Sequence, residues 1–125
     1  MSEVIIEGDL NEKFVSDVIR FFCDALGIKV PNLHVFTDET IEINGACYRN
    51  SDDEFMIVLK ERDQGYMMVT LAHEMVHVKQ YLLDELSERW DASIPYMERW
   101  WEKEAYQKEI ELAKLLVEAV KNGEL

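Results

Sequence analysis

The segment VTLAHEMVHVKQ, residues 69–80, carries His73 and His77 four positions apart, with Glu74 directly after the first. On a helix, successive residues turn by about 100°, so the two imidazoles fall about 40° apart on one face, one turn apart along the axis. Two ring nitrogens placed in this way can bind a single zinc ion at about 2.0–2.1 Å. Glu74 is rotated about 100° from His73 and stands beside such an ion rather than on it, which suits a base acting on water. An accidental match would mostly carry charged residues at the variable positions; here they are Met75 and Val76, with Thr70-Leu71-Ala72 ahead and Val78 behind.

Catalytic zinc takes three protein ligands and keeps one position for water, so the pair needs a partner. His34 lies far upstream with no spacing that ties it to the pair, and reads as a structural or exposed residue of a strand. A carboxylate from the last helix is the better candidate. With Glu102 as the zero angle, Ala105, Leu112, Ala113, Leu116 and Val120 all lie within about 80° of it, so Glu102 points along the apolar stripe. Glu104 is rotated about 200° away and joins Trp100, Lys108, Glu111 and Glu118 on the expected solvent side. A carboxylate aimed inward needs a cation or strong hydrogen bonds to stay ionised, and zinc would be that cation. Glu98 and Glu109 lie near the same stripe and stand in reserve, Glu109 too far along the axis to reach the same ion.

These side chains require a frame. Residues 10–26 place Phe14, Val18, Phe21, Phe22, Ala25 and Leu26 at helical spacing, and Gly27 follows where a helix C-terminus favours a left-handed residue. Short strands are expected at LHVF (33–36), IEINGACY (41–48) and FMIVL (55–59), with RNSDDE as a turn between the last two. The period becomes helical from Tyr66 to about Leu86, with Met68, Leu71, Met75, Val78, Leu82 and Leu86 as the core stripe and the histidines on the side it leaves free. Residues 87–93 break the pattern, Ser93 before Ile94-Pro95 reads as the start of the final helix, and Asn122-Gly123 as its end. The expected fold class is α+β, a single domain over residues 1–125 with a small, mostly antiparallel sheet packed against three helices.

The net charge of −13, from 26 acidic and 13 basic residues, repels phosphates, which argues against nucleic acid and anionic membranes as partners. Its simplest role is solubility, with a preference for basic substrates as the minority account. No window approaches 18 apolar residues, and the acidic MSEVIIEGD start lacks the basic residues of a signal peptide. Cys23 and Cys47 read as reduced, buried thiols in a cytoplasmic protein.

Taken together, TLAHEMVHV (70–78) and WWEKEAY (100–106), with INGACYRN and FMIVLK between residues 43 and 60, resemble the small gluzincin-type zinc metallopeptidases called minigluzincins. The likeness spans roughly residues 30–116. It implies a zincin-like fold, one Zn2+ held by His73, His77 and Glu102, Glu74 as general base and acid, and a strand, residues 43–48, that pairs with extended peptide or protein substrates. In larger relatives an acid four residues after the ligand glutamate orients a histidine, and a later histidine or tyrosine stabilises the transition state. Here Tyr106 takes the first position, no histidine follows His77, and Tyr96, Arg99 and Tyr106 are the open candidates for the second role.

The function implied is peptide-bond hydrolysis by zinc-activated water; the alternative is a latent or non-catalytic zinc-binding regulatory domain on the same scaffold. A di-iron bundle fails, because Glu74-x-x-His77 would need a second such motif on another helix.

Overall fold

The computed structural model describes residues 2–83 and 93–125. The expected run of the central helix to Leu86, and any packing role of Trp90, fall on residues outside these.

Chain order is β1 (Val4–Glu7), α1 (Glu12–Leu26), β2 (Asn32–Asp38), β3 (Gly45–Ser51), β4 (Glu54–Lys60), α2 (Gln64–Leu82), a 3-10 turn (Tyr96–Glu98) and α3 (Trp100–Lys121). The class is α+β, as the sequence predicts. The sheet is mixed rather than mostly antiparallel, with strand order β1-β2-β4-β3. β1 pairs with β2 in parallel, β2 with β4 in parallel, and only β3 with β4 is antiparallel.

Two features produce this topology. β1 alternates over only four residues, too few to stand out in the sequence, and its link to β2 through α1 is a crossover, which makes the two strands parallel. The β3–β4 hairpin then docks through β4. Phe55, Ile57 and Leu59 are fully buried, and Val58, which alternation turns to the opposite face, is only 6% exposed. Such a run gains most by lying between two strands, and β3 is left at the sheet edge.

Boundaries shift in two further places. β3 begins at Gly45 rather than Ile41, and Ile43 is exposed in the loop ahead of it. α3 begins at Trp100 rather than near Ser93; Pro95 opens the short 3-10 turn instead, and Arg99 is extended between the two. The Arg99 side chain holds this corner, its Nε donating to the Ile94 carbonyl at 2.9 Å.

α1 starts where Asn11 Oδ1 accepts from the Phe14 amide at 2.9 Å, and ends at Gly27, whose φ of 73° is the left-handed geometry that glycine adopts freely. Its residues Val15, Val18, Ile19 and Phe22 pack with Leu33, Val35, Phe55, Ile57 and Leu59 of the sheet and with Leu71, Met75 and Val76 of α2. Complete burial of side chains of this size contributes about 1.5–3 kcal/mol each. α2 is the central element, and Ala105, Leu112 and Leu116 of α3 close the core beyond it. Among the described residues, no helix is long and apolar enough to cross a membrane.

Candidate metal and catalytic site

α2 opens at Asp63, whose Oδ1 accepts from the Tyr66 amide at 2.9 Å. The helix side bearing the histidines is not free, as its polarity suggests, but faces α3. His73, Glu74 and His77 are 8%, 6% and 8% exposed. Glu102, in the first turn of α3, reaches across with Oε1 3.0 Å from His73 Nε2 and 3.0 Å from His77 Nε2. Its inward direction agrees with the helical-face reading.

The far nitrogens of both imidazoles also meet oxygens. His77 Nδ1 lies 2.8 Å from Gln80 Oε1, and His73 Nδ1 makes a longer contact of 3.4 Å with Glu109 Oε1. The Gln80 orientation is overdetermined, because its Nε2 donates to the Trp101 carbonyl at 2.9 Å and to Glu104 Oε1 at 3.0 Å. Gln80 Oε1 can therefore only accept, and His77 Nδ1 must carry the proton. Glu109 imposes the same tautomer on His73. In the neutral imidazoles both Nε2 lone pairs then face one oxygen of Glu102, with no proton between them.

That arrangement is repulsive unless the rings are protonated or a cation occupies the junction. Two imidazoles and a carboxylate, with acceptors behind the rings, are a suitable donor set for a divalent metal. His73, Glu74 and His77 form a buried group able to hold a metal ion, with ligand atoms within 4.8 Å of one another. Glu74 belongs to that group, and hydrogen bonding separates it from Glu102. Glu102 touches both Nε2 atoms, while Glu74, almost wholly buried, makes no hydrogen bond or ion pair among the described residues.

Burial alone would lower both histidine pKa values, yet the Glu102 hydrogen bonds and the Glu74 charge raise them above the ordinary value. Burial would likewise raise Glu102, but the bonds from His73 and His77 hold it down at about 2. Glu74 is raised by burial, and the neighbouring histidines offset this only in part.

These groups line one wall of a cleft of about 530 Å³ whose opposite wall is the 42–47 segment. The approach is close because Gly45 lacks a side chain: a Cβ there would lie 2.6 Å from Thr70 Cγ2 and 3.1 Å from the Val58 carbonyl oxygen. Lys60 N donates to the Asn44 carbonyl at 2.8 Å, which sets the alternation of the β3–β4 ladder. Gly45 and Cys47 consequently turn their amides and carbonyls away from β4, towards the open edge, and both line the cleft. Tyr106 packs edge-on against His73 with ring centroids 4.6 Å apart, and its hydroxyl is 3.1 Å from that of Tyr96. Burial, then the bond to Tyr106, raises the Tyr96 pKa.

Other predicted residues lie elsewhere. Glu104 is not a solvated charge but binds Gln80 and Lys79, the latter at 3.2 Å, because α2 lies along that flank of α3. Burial would raise its carboxyl, and these two bonds lower it instead. Glu98 is exposed in the 3-10 turn and does not line the cleft. Arg99 packs over the Tyr96 ring, 5.5 Å from its centroid, rather than facing the histidines. His34 lies in β2, its Nε2 2.7 Å from Glu7 Oε1, remote from the cleft. Cys23 is buried and Cys47 half-buried, both free thiols; burial, then the Glu74 charge, pushes Cys47 well up. Trp101 is buried and Trp100 exposed.

Sequence reading missed the orienting role of Gln80, although it lies three residues after His77 on the same helix side. Glu109, two turns after Glu102 along α3, meets His73 Nδ1, a contact that the sequence reading did not assign to it.

No family model, curated protein or solved structure matches this chain.

Proposed function

We propose that the chain is a zinc-dependent peptidase of zincin-like, minigluzincin type, with His73, His77 and Glu102 as metal ligands and Glu74 as general base and acid. The observation that carries this reading is the meeting of both Nε2 atoms on one Glu102 oxygen, beside a buried carboxylate with no hydrogen-bond or ion-pair partner among the described residues. A divalent ion at that junction would supply Lewis acidity, making water acidic near neutral pH and polarising a peptide carbonyl.

The protein's own groups account for the rest. Glu74 accepts a proton from water as it attacks the scissile carbonyl and returns that proton to the leaving amine. Burial raises its pKa in the metal-free protein, and a divalent ion beside it would oppose that rise and favour the carboxylate form that accepts the proton. Gln80 and Glu109 hold the two rings in the ligating tautomer. The outward amides and carbonyls of Gly45 and Cys47 give an extended peptide a strand to pair with. Tyr96 and Tyr106, hydroxyl to hydroxyl at the cleft wall, are the groups best placed to donate to a developing oxyanion. A reducing, cytoplasmic setting suits the two free thiols.

The test is hydrolysis of a quenched-fluorescent peptide mixture by the zinc-loaded chain and by Glu74→Gln. Activity in the parent with loss of about 100-fold or more in the variant supports the reading. Equal activity in the two removes Glu74 as the base. Zinc binding without hydrolysis in either leaves the non-catalytic zinc-binding domain in its place.

A further inference from the structure

We propose that the cleft selects extended peptides bearing lysine or arginine. This rests on the reading of the cleft as a peptide site and goes on to name its substrate class. Four glutamates line it, Glu42, Glu74, Glu102 and Glu109, and no lysine or arginine does among the described residues. A divalent ion would offset two of these four charges, leaving the cleft net negative. Glu109 Oε1 lies 3.4 Å from His73 Nδ1, on the ring side turned away from Glu102.

A second, independent observation points to a ligand. Glu74 is 6% exposed, faces this cleft and has no hydrogen-bond or ion-pair partner among the described residues. Burying a carboxylate without a partner is costly, and an incoming positive charge or donor relieves the cost. The protein carries a charge of −13, so its field repels acidic peptides before they arrive. Within the cleft, low-dielectric walls on both sides strengthen the same discrimination. The Tyr106 ring adds an aromatic surface for a cationic side chain at the mouth, since the residue is 46% exposed.

Backbone pairing supplies affinity that does not depend on side chains. A peptide added along β3 would pair with the outward groups of Gly45 and Cys47 and send alternate side chains towards and away from the glutamates. Lysine or arginine at alternate positions is therefore the favoured pattern.

Binding to the Glu74→Gln chain separates recognition from turnover and reads the preference that the remaining glutamates, Glu42, Glu102 and Glu109, retain. Lysine-substituted and glutamate-substituted versions of one labelled peptide are compared by fluorescence anisotropy, in low and high salt. The lysine version is expected to bind at least about tenfold tighter in low salt, with the ratio shrinking as salt screens the charges. Glu42→Lys in that background is expected to reduce the ratio at least about threefold, and Glu118→Lys, the same charge change on exposed α3 surface, distinctly less. Equal affinities, tighter binding of the glutamate version, no binding of either, or equal effects of the two charge reversals would overturn the proposal. Preference without hydrolysis by the parent chain would sink the peptidase reading and leave the preference standing. Equal kcat/KM for both peptides would do the reverse.

Discussion

Gln80 Oε1 accepts from His77 Nδ1 at 2.8 Å, and the two donor hydrogens of the same amide are taken by Trp101 and Glu104. One buried glutamine thereby ties the tautomer of a histidine on α2 to the first turn of α3, the turn that supplies Glu102. The His77 ring and the turn that carries Glu102 are joined through a single side chain.

Gln80→Leu should therefore weaken zinc binding about 10- to 100-fold while His73, His77 and Glu102 remain in place. Competition with a chelator of known affinity measures this. An unchanged zinc affinity would mean that the tautomer needs no outside support.

The metal-free chain should be most stable in mildly acidic solution. His73 and His77 hold their protons more firmly than the ordinary value of 6.5, so their contribution is complete below that value and is lost as pH rises through their folded values. Glu74, raised above 4.5, acts in the same direction. Glu102 opposes them: held at about 2 against an ordinary 4.5, its contribution is present above 4.5 and lost on acidification. The Tm in chelator should accordingly peak between about 4.5 and 6.5. Saturating zinc should invert the upper limb, because imidazole ligates only when unprotonated. Scanning calorimetry across pH, with and without zinc, checks both limbs.

Gly45→Ala should push β3 away from α2, costing about 1–3 kcal/mol, since the added methyl meets Thr70 Cγ2 at 2.6 Å and backbone at 3.1 Å. Adding Thr70→Ser removes the nearer obstacle and should restore part of the loss. Urea denaturation of the single and double variants measures the coupling, and simple additivity would show that the two residues do not meet.

The histidine pair and the inward carboxylate were legible because helical spacing is a local property: residues 73, 77 and 102 point where a 3.6-residue repeat directs them. The stop of α1 was legible for the same reason, through Gly27, whereas the Asn11 cap at its start emerged only from the structure. What the sequence concealed depends on partners distant in the chain. β1 is too short to announce itself, and the choice of β4 over β3 as the neighbour of β2 is a matter of which strand loses more water. Glu104 reads as solvated until α2 is laid beside it. Gln80 and Glu109 acquire their roles only when α3 crosses α2, and no spacing within one helix encodes that crossing.

Calorimetric titration of Zn2+ into metal-free protein tests the central claim most directly, with Glu102→Ala and Glu104→Ala run in parallel. One tight site per chain is expected, weakened about 100-fold or more by Glu102→Ala and little changed by Glu104→Ala. Absence of a site in the parent chain, or equal losses in the two variants, would contradict the convergence of His73, His77 and Glu102 on one ion.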